Sequence, residues 1–243
     1  MTFDARSRRR GVVLLVGAGG VGAPAAWALA RSGVARVVIV DDDVVERSNL
    51  HRQILFCEQD VGRPKAETLA ARVRELGAEA TAVHGRALPE TVADLVASAD
   101  VVIDGVDNFP SRFLLADAAW LGGRPIVHAA AVRWHATMFV SAAGGRPCYR
   151  CLFEDVPAGP APDCATAGVV GPVCGVVGGL AADAALGLLD GRVGLAGTVT
   201  TLHGRTGELR RVSVRGRADC ALCGASEIRD LRAARYLGAS CEV

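Results

Sequence analysis

Aromatic side chains are scarce in this chain, at 5%, and neither charge sign dominates, since the formal net charge is +1. A basic surface for nucleic acid is therefore excluded as the organising feature. Few aromatics beside 29 glycines fit a fold whose turns approach a ligand closely. Long uninterrupted apolar runs are lacking as well. The most membrane-like stretch, Gly168 to Leu189, carries Pro172, six glycines and Asp183, and reads as a buried helix with no role in a membrane. The first apolar run, Val12 to Val16, leads straight into a glycine turn with no small-residue cleavage site, so no secretory signal is expected. These absences predict a soluble cytoplasmic protein. The 51% of residues that are hydrophobic suffice for the core of one α/β domain.

Strand and helix signals alternate along the first half. Val12 to Val16 is a continuous apolar run, as in a central parallel strand. Helix signals follow over Pro24 to Arg31, stopped by Gly33. A second strand, Arg36 to Val40, ends at Asp41-Asp42-Asp43. Further helices are expected over Pro64 to Leu76 and Pro110 to Trp120, and further strands over Val101 to Asp104 and from Ile126. This order predicts a doubly wound, mainly parallel Rossmann-like sheet. The second half differs. It offers an extended stretch from Val132 to Ala142, a loop at Pro157 to Pro162, a long helix over Gly171 to Leu189, and a hairpin of Thr198 to His203 with Glu208 to Val214. We therefore expect one domain over residues 1–243. Its nucleotide-binding half would span about 11–131, and 132–243 would form an antiparallel extension.

The glycine turn Gly17-Ala-Gly19-Gly20-Val-Gly22 follows a strand and opens a helix, which brings backbone N–H groups to a phosphate. Asp41 ends the next strand, where an acid accepts from a ribose hydroxyl. ATP and NAD both fit these two features. Arg52 and Lys65 shift the balance toward ATP, because a triphosphate carries more charge for a guanidinium and an ammonium to neutralise. Asp107, within Asp104-Gly-Val-Asp107-Asn108, follows a strand at the sheet's carboxyl edge, where a carboxylate can hold Mg²⁺ against phosphates. Asp104 reads equally well as structural, and Arg112 can pair locally or face the phosphates. None of the five histidines stands near a convincing partner in the sequence.

Eight cysteines are many for a reducing compartment unless some bind metal or react. Cys148 with Cys151, and Cys220 with Cys223, are two C-x-x-C pairs, each with the bite of tetrahedral zinc. One structural Cys₄ site is expected from them. Cys174 reads as core. Cys164, after the proline-rich loop, is a candidate nucleophile or a small loop residue. Cys57 and Cys241 carry no readable context.

Taken together, GAGGVG, the aspartate of VIVDDD, SNLHRQ, VGRPK, DGVDN, CYRC, CATAGVVGPV and CALC resemble the ThiF/MoeB/HesA family, relatives of the ubiquitin-activating enzymes. The pieces fall in the family's order from Val12 to about Gly224. The resemblance implies a homodimer in which each subunit binds Mg-ATP. It makes Asp41 the ribose ligand, and Asn49, Arg52 and Lys65 phosphate contacts, with Gln53 and Asn108 beside them in the same motifs. Asp107 becomes the metal-linked aspartate, and the C-x-x-C thiolates a zinc site. Cys164 falls where some members carry a thiol that reacts with the activated partner. The implied reaction is adenylation of the C-terminal Gly-Gly carboxylate of a small β-grasp sulfur-carrier protein, which then takes sulfur from a persulfide donor. Activation of a ribosomal peptide and a nicotinamide-dependent oxidoreductase are the alternatives. In one respect the sequence departs from the family. The Arg-Tyr-x-Arg-Gln-like motif, whose arginine reaches the other subunit's ATP, does not precede Val12. Arg6 and Arg8 to Arg10 are the basic residues there.

Overall fold

The structure, a computed structural model, describes residues 11–157 and 167–236. Arg6, Arg8 to Arg10, most of the Pro157–Pro162 loop, Cys164 and Cys241 lie outside them. Eight strands form one sheet in the order β3-β2-β1-β4-β5-β6-β7-β8. The strands are β1 (Val12–Val16), β2 (Arg36–Asp41), β3 (Glu79–His84), β4 (Val101–Asp104), β5 (Ile126–Val132), β6 (His135–Ser141), β7 (Thr198–His203) and β8 (Glu208–Ser213). The first five run parallel. The last three add on antiparallel.

Why these residues take these places follows from burial. Leu14 and Leu15 of β1 are fully buried, on opposite faces, because helices cover both sides of the parallel sheet. One face is covered by α1 (Gly22–Arg31), α2 (Lys65–Glu75) and α6 (Gly171–Leu189). The other is covered by α3 (Val92–Ala97) and α4 (Phe109–Leu121). The long apolar α6 packs on α1, β5 and β6 as a core helix, and Cys174 is buried within it. It is also the one helix, among the described residues, that is long and apolar enough to cross a membrane.

A strand and a short helix of the first half are among the elements beyond the expected set. β3 alternates Glu, Ala, Thr, Ala, Val and His at the sheet edge, so it lacks the apolar run that marks a central strand. α3 has only six residues. The extended stretch from Val132 to Ala142 turns out to be interrupted. β5 reverses at Arg133, whose φ is +54°, and β6 pairs back with it, so the same sheet continues across residue 132.

A small third cluster sits at the end of the sheet, on the α4 side. It comprises Cys148, Cys151, Cys220, Leu222, Cys223 and Ile228. The single-turn helix α5 (Tyr149–Leu152) joins its first two cysteines. Its link to the main body is a buried network. Arg150 donates from Nε and Nη2 to both oxygens of Asp117 on α4, at 2.8 and 2.9 Å, and the Tyr236 hydroxyl donates to Asp117 Oδ2 at 2.8 Å.

Candidate active site

The strand order reverses direction between β1 and β4, and a cleft of about 530 Å³ opens there at their carboxyl ends. Its floor is the glycine turn. Gly17 has φ +95°, and a Cβ there would lie 2.7 Å from the Gly105 carbonyl oxygen. A Cβ on Gly22 would come within 1.9 Å of the Gly17 oxygen. Side chains are therefore excluded where the chain turns into α1, and the backbone is left open to a ligand. Gly17, Gly19 and Gly20 line the cleft, while Gly22 lies beneath it as the first residue of α1.

Asp41, at the end of β2, accepts from the Ala18 amide at 2.6 Å and from the Asp43 amide at 2.9 Å. Its carboxylate thus ties the glycine turn to β2 as well as facing the cleft. Burial raises its pKa above the usual carboxylate range, against the pull of those two amides.

The cations stand on the wall formed by the segment after β2. Lys65, the first residue of α2, is buried, and its Nζ pairs with Asp43 at 2.8 Å. Asp43 is a partner that sequence reading missed. Its signal was the third aspartate of the acidic run, facing back across the Val44–Pro64 bridge. Arg52 donates to Asn49 Oδ1 at 2.5 Å, and so is held with Asn49 over the cleft. Gln53 is 2% exposed and lines the same cleft, and its Oε1 accepts no hydrogen bond from any described residue. A buried amide oxygen in that condition suits a polar ligand.

Opposite stand Asp107 and Asn108. Asp107 is exposed to the cleft and makes no hydrogen bond or ion pair with any described residue. Asn108 caps α4, its Oδ1 accepting from the Ser111 amide at 2.9 Å. Ten of the eleven residues expected to contact the nucleotide thus line one cleft.

Asp104 proves to be structural, which settles one ambiguity. It is fully buried, and its carboxylate meets Arg112 Nε at 3.1 Å and His128 Nδ1 at 2.7 Å. The sequence reading that no histidine has a partner is corrected by this pair. β5 lies beside β4 in parallel register, which puts His128 directly opposite Asp104. Only that register reveals the contact, since the residues are 24 positions apart. For Arg112 the local pairing is what the structure shows. This residue pairs with Asp104, lines the cleft, and donates to the Val106 and Ala129 carbonyls at 2.6 and 3.0 Å.

Burial drives the His128 pKa below its usual value, more than Asp104 raises it. Burial would raise Asp104, but Arg112 and His128 hold it below the usual range. Each group therefore binds fewer protons folded than unfolded, and stability falls with falling pH. The His128 contribution is complete above about pH 6.5 and is lost as pH drops below it; that of Asp104 is lost below about pH 4. Urea unfolding between roughly pH 8 and 5.5 should show this slope, at most about 1.4 kcal/mol per pH unit for one proton. The slope should be smaller in His128→Asn, and an equal slope in both proteins would contradict the assignment.

The four cysteine thiols of the C-x-x-C pairs all lie within 4.8 Å of one another, with Cys148–Cys220 at 3.5 Å and Cys151–Cys223 at 3.4 Å. Four sulfurs around tetrahedral zinc stand about 3.8 Å apart, so the set fits that ion. Burial pushes the Cys148 and Cys223 thiols up, while at Cys220 the backbone amides of Cys223 and Leu222 outweigh burial and hold its thiol down.

A doubly wound sheet with a glycine turn, a set of cations and an exposed carboxylate at its switch point places the protein in the Rossmann-like class. Residues 5–223 match the ThiF family, and the chain belongs to that family. It is 43% identical to the SAMP-activating enzyme of Haloferax volcanii over 229 residues, covering 93% of this chain and 84% of the relative. It is 40% identical to the sulfur carrier protein ThiS adenylyltransferase of Escherichia coli over 217 residues, covering 88% and 86%. Among solved structures, Escherichia coli MccB with ATP shares the fold at a TM-score of 0.75 and 19% identity, over 90% of this chain and 68% of that one.

Proposed function

We propose that this protein adenylates the C-terminal Gly-Gly carboxylate of a small ubiquitin-like sulfur-carrier protein, using ATP. The observation that carries the reading is the convergence, in one cleft, of a glycine turn, Lys65, Arg52 and the unpaired carboxylate of Asp107. This set suits a triphosphate better than the pyrophosphate of a nicotinamide cofactor, and relatives 40 and 43% identical over most of their length bear names of this chemistry.

The protein's tasks in such a reaction are positioning and charge neutralisation. The glycine-turn amides and the α1 N-terminus hold phosphate oxygens, and Asp41 orients the ribose. Arg52, steadied by Asn49, and Lys65 stabilise charge that builds up as the carrier carboxylate attacks the α-phosphorus and pyrophosphate leaves. Asp107 would hold Mg²⁺, which offsets phosphate charge when bound, and the four thiolates would hold Zn²⁺ as a structural ion. The active species is a homodimer acting in the cytoplasm, with a persulfide as the sulfur donor. Activation of a ribosomal peptide is disfavoured, because the relatives matched over most of their own length are named for sulfur carriers or for SAMP activation.

Attack of a carboxylate on phosphorus needs no protein nucleophile. Cys164 therefore belongs after adenylation, where its thiolate can attack the acyl-adenylate to form a thioester as AMP leaves, or take the outer sulfur of a donor persulfide as the donor's thiolate leaves. In Cys164→Ala, carrier-dependent pyrophosphate release should stay near the wild-type rate, while thiocarboxylate on the carrier, read by intact mass, should fall. Collapse of pyrophosphate release in a folded variant would contradict this division. Failure of the wild-type protein and ATP to convert any Gly-Gly-tailed carrier to an acyl-adenylate would overturn the function itself.

A further inference from the structure

A C-x-x-C zinc turn needs only its two thiolates, and the two intervening side chains can face solvent. Here they do not, since Tyr149 is 4% exposed and Arg150 is 3% exposed. Both point away from the sulfur cluster into the body of the protein. We propose that the Cys148–Cys151 turn is a positioning element of the nucleotide cleft, holding the 104–112 loop in place through Tyr149 and Arg150.

Two chains of contact lead there. The Tyr149 ring lies over the His128 ring, 4.4 Å between centroids. His128 Nδ1 donates to Asp104, Asp104 pairs with Arg112, and Arg112 donates to the Val106 carbonyl, one residue before Asp107. The second chain runs through the Arg150 fork on Asp117. Asp117 lies on α4, whose first turn carries Arg112 and whose cap is Asn108. The Arg150 guanidinium also covers the Phe113 ring at 4.9 Å, and that ring meets Tyr149 edge-on at 5.2 Å. Both chains end on the segment that carries Asp107.

Energetics favour orientation over stability as the purpose. A buried ion pair contributes little net stability beside a well-packed apolar pair, because both charges must be desolvated. Its planar fork does fix direction, here the rotation and register of α4. The floor, made by the glycine turn, and the wall that carries Arg52 and Lys65 have no such contact with the zinc lobe among the described residues. Disturbing the lobe should therefore loosen one wall and leave the floor and the other wall.

This inference rests on the cleft being the nucleotide site, so its test reads the loop directly. Amide hydrogen exchange and zinc content are measured on the full chain for wild type, Tyr149→Leu, Tyr149→Phe and Arg150→Met, alongside pyrophosphate release. Tyr149→Leu and Arg150→Met should retain zinc, yet exchange at least ~10-fold faster over 104–112 with amides of 13–22 unchanged. Their turnover should fall about 10- to 100-fold. Tyr149→Phe, which keeps the ring, should restore both readouts toward wild type. Unchanged exchange over 104–112 in the zinc-bound variants would overturn the proposal. So would faster exchange spread evenly over both segments, or loss of zinc in both variants, since either reduces these residues to holding the lobe together. Should the loop respond while wild type releases no pyrophosphate, the positioning role stands and the adenylation reading fails.

Discussion

Replacing Lys65 or Asp107 with alanine should slow carrier-dependent pyrophosphate release at least ~100-fold each, because one lost electrostatic contact at a transition state costs about that much. The two residues line the same cleft and carry opposite charge. Stability should move far less than rate. Asp107 has no hydrogen-bond or ion-pair partner among the described residues, so its removal leaves nothing unpaired. Lys65 leaves behind Asp43, whose side chain is 61% exposed and is readily hydrated. Thermal unfolding of both variants should therefore stay close to wild type while activity collapses. Lys65→Arg should not recover the rate fully, since a buried ammonium is a compact charge and a planar fork is not. Near-normal rates in both alanine variants would mean that the chemistry lies elsewhere.

Stripping zinc, or replacing Cys148 with serine, should be the most destabilising change available in this chain, at more than about 4 kcal/mol. Two C-x-x-C pairs separated by 72 residues meet in one sulfur cluster. Without a cation the cluster holds buried thiols with no strong partner, and the tail from Cys220 to Tyr236 loses its anchor. Tyr236 then leaves Asp117, and the buried Arg150 pair is exposed to water from that side. Cys57→Ser makes the control, because Cys57 is exposed and outside the cluster. Elemental analysis of metal-replete protein, paired with unfolding curves before and after chelation, checks this. Protein free of zinc with an unchanged curve would contradict it.

Much of this was legible in the sequence, for reasons that can be stated. β1, β2 and β4 are buried on both faces, so they read as unbroken apolar runs. The glycine turn, Asp41, Lys65 and Asp107 each sit close to a strand's end or at a helix start, and the parallel topology brings such points to one edge, whereas Arg52 lies in the turns between β2 and α2. Each C-x-x-C pair offers two thiols at a metal-binding spacing, and the fold brings the four together as the sequence led us to expect. What stayed hidden depended on register and on long-range packing. His128 meets Asp104 only because β5 aligns with β4 at those residues. Arg150 finds Asp117, and Asp117 finds Tyr236, across 33 and 119 positions, with no local pattern to announce it. β3 escaped notice because an edge strand with a wet face needs few apolar residues.

ATP–pyrophosphate exchange tests the central claim most directly. It is measured with a β-grasp carrier whose tail ends in a free Gly-Gly carboxylate, and with the same carrier amidated at its C-terminus. The account predicts exchange that requires ATP and the free carboxylate, and that vanishes with the amide. Exchange that is indifferent to the amide, or binding of NAD in preference to ATP with no exchange at all, would contradict it.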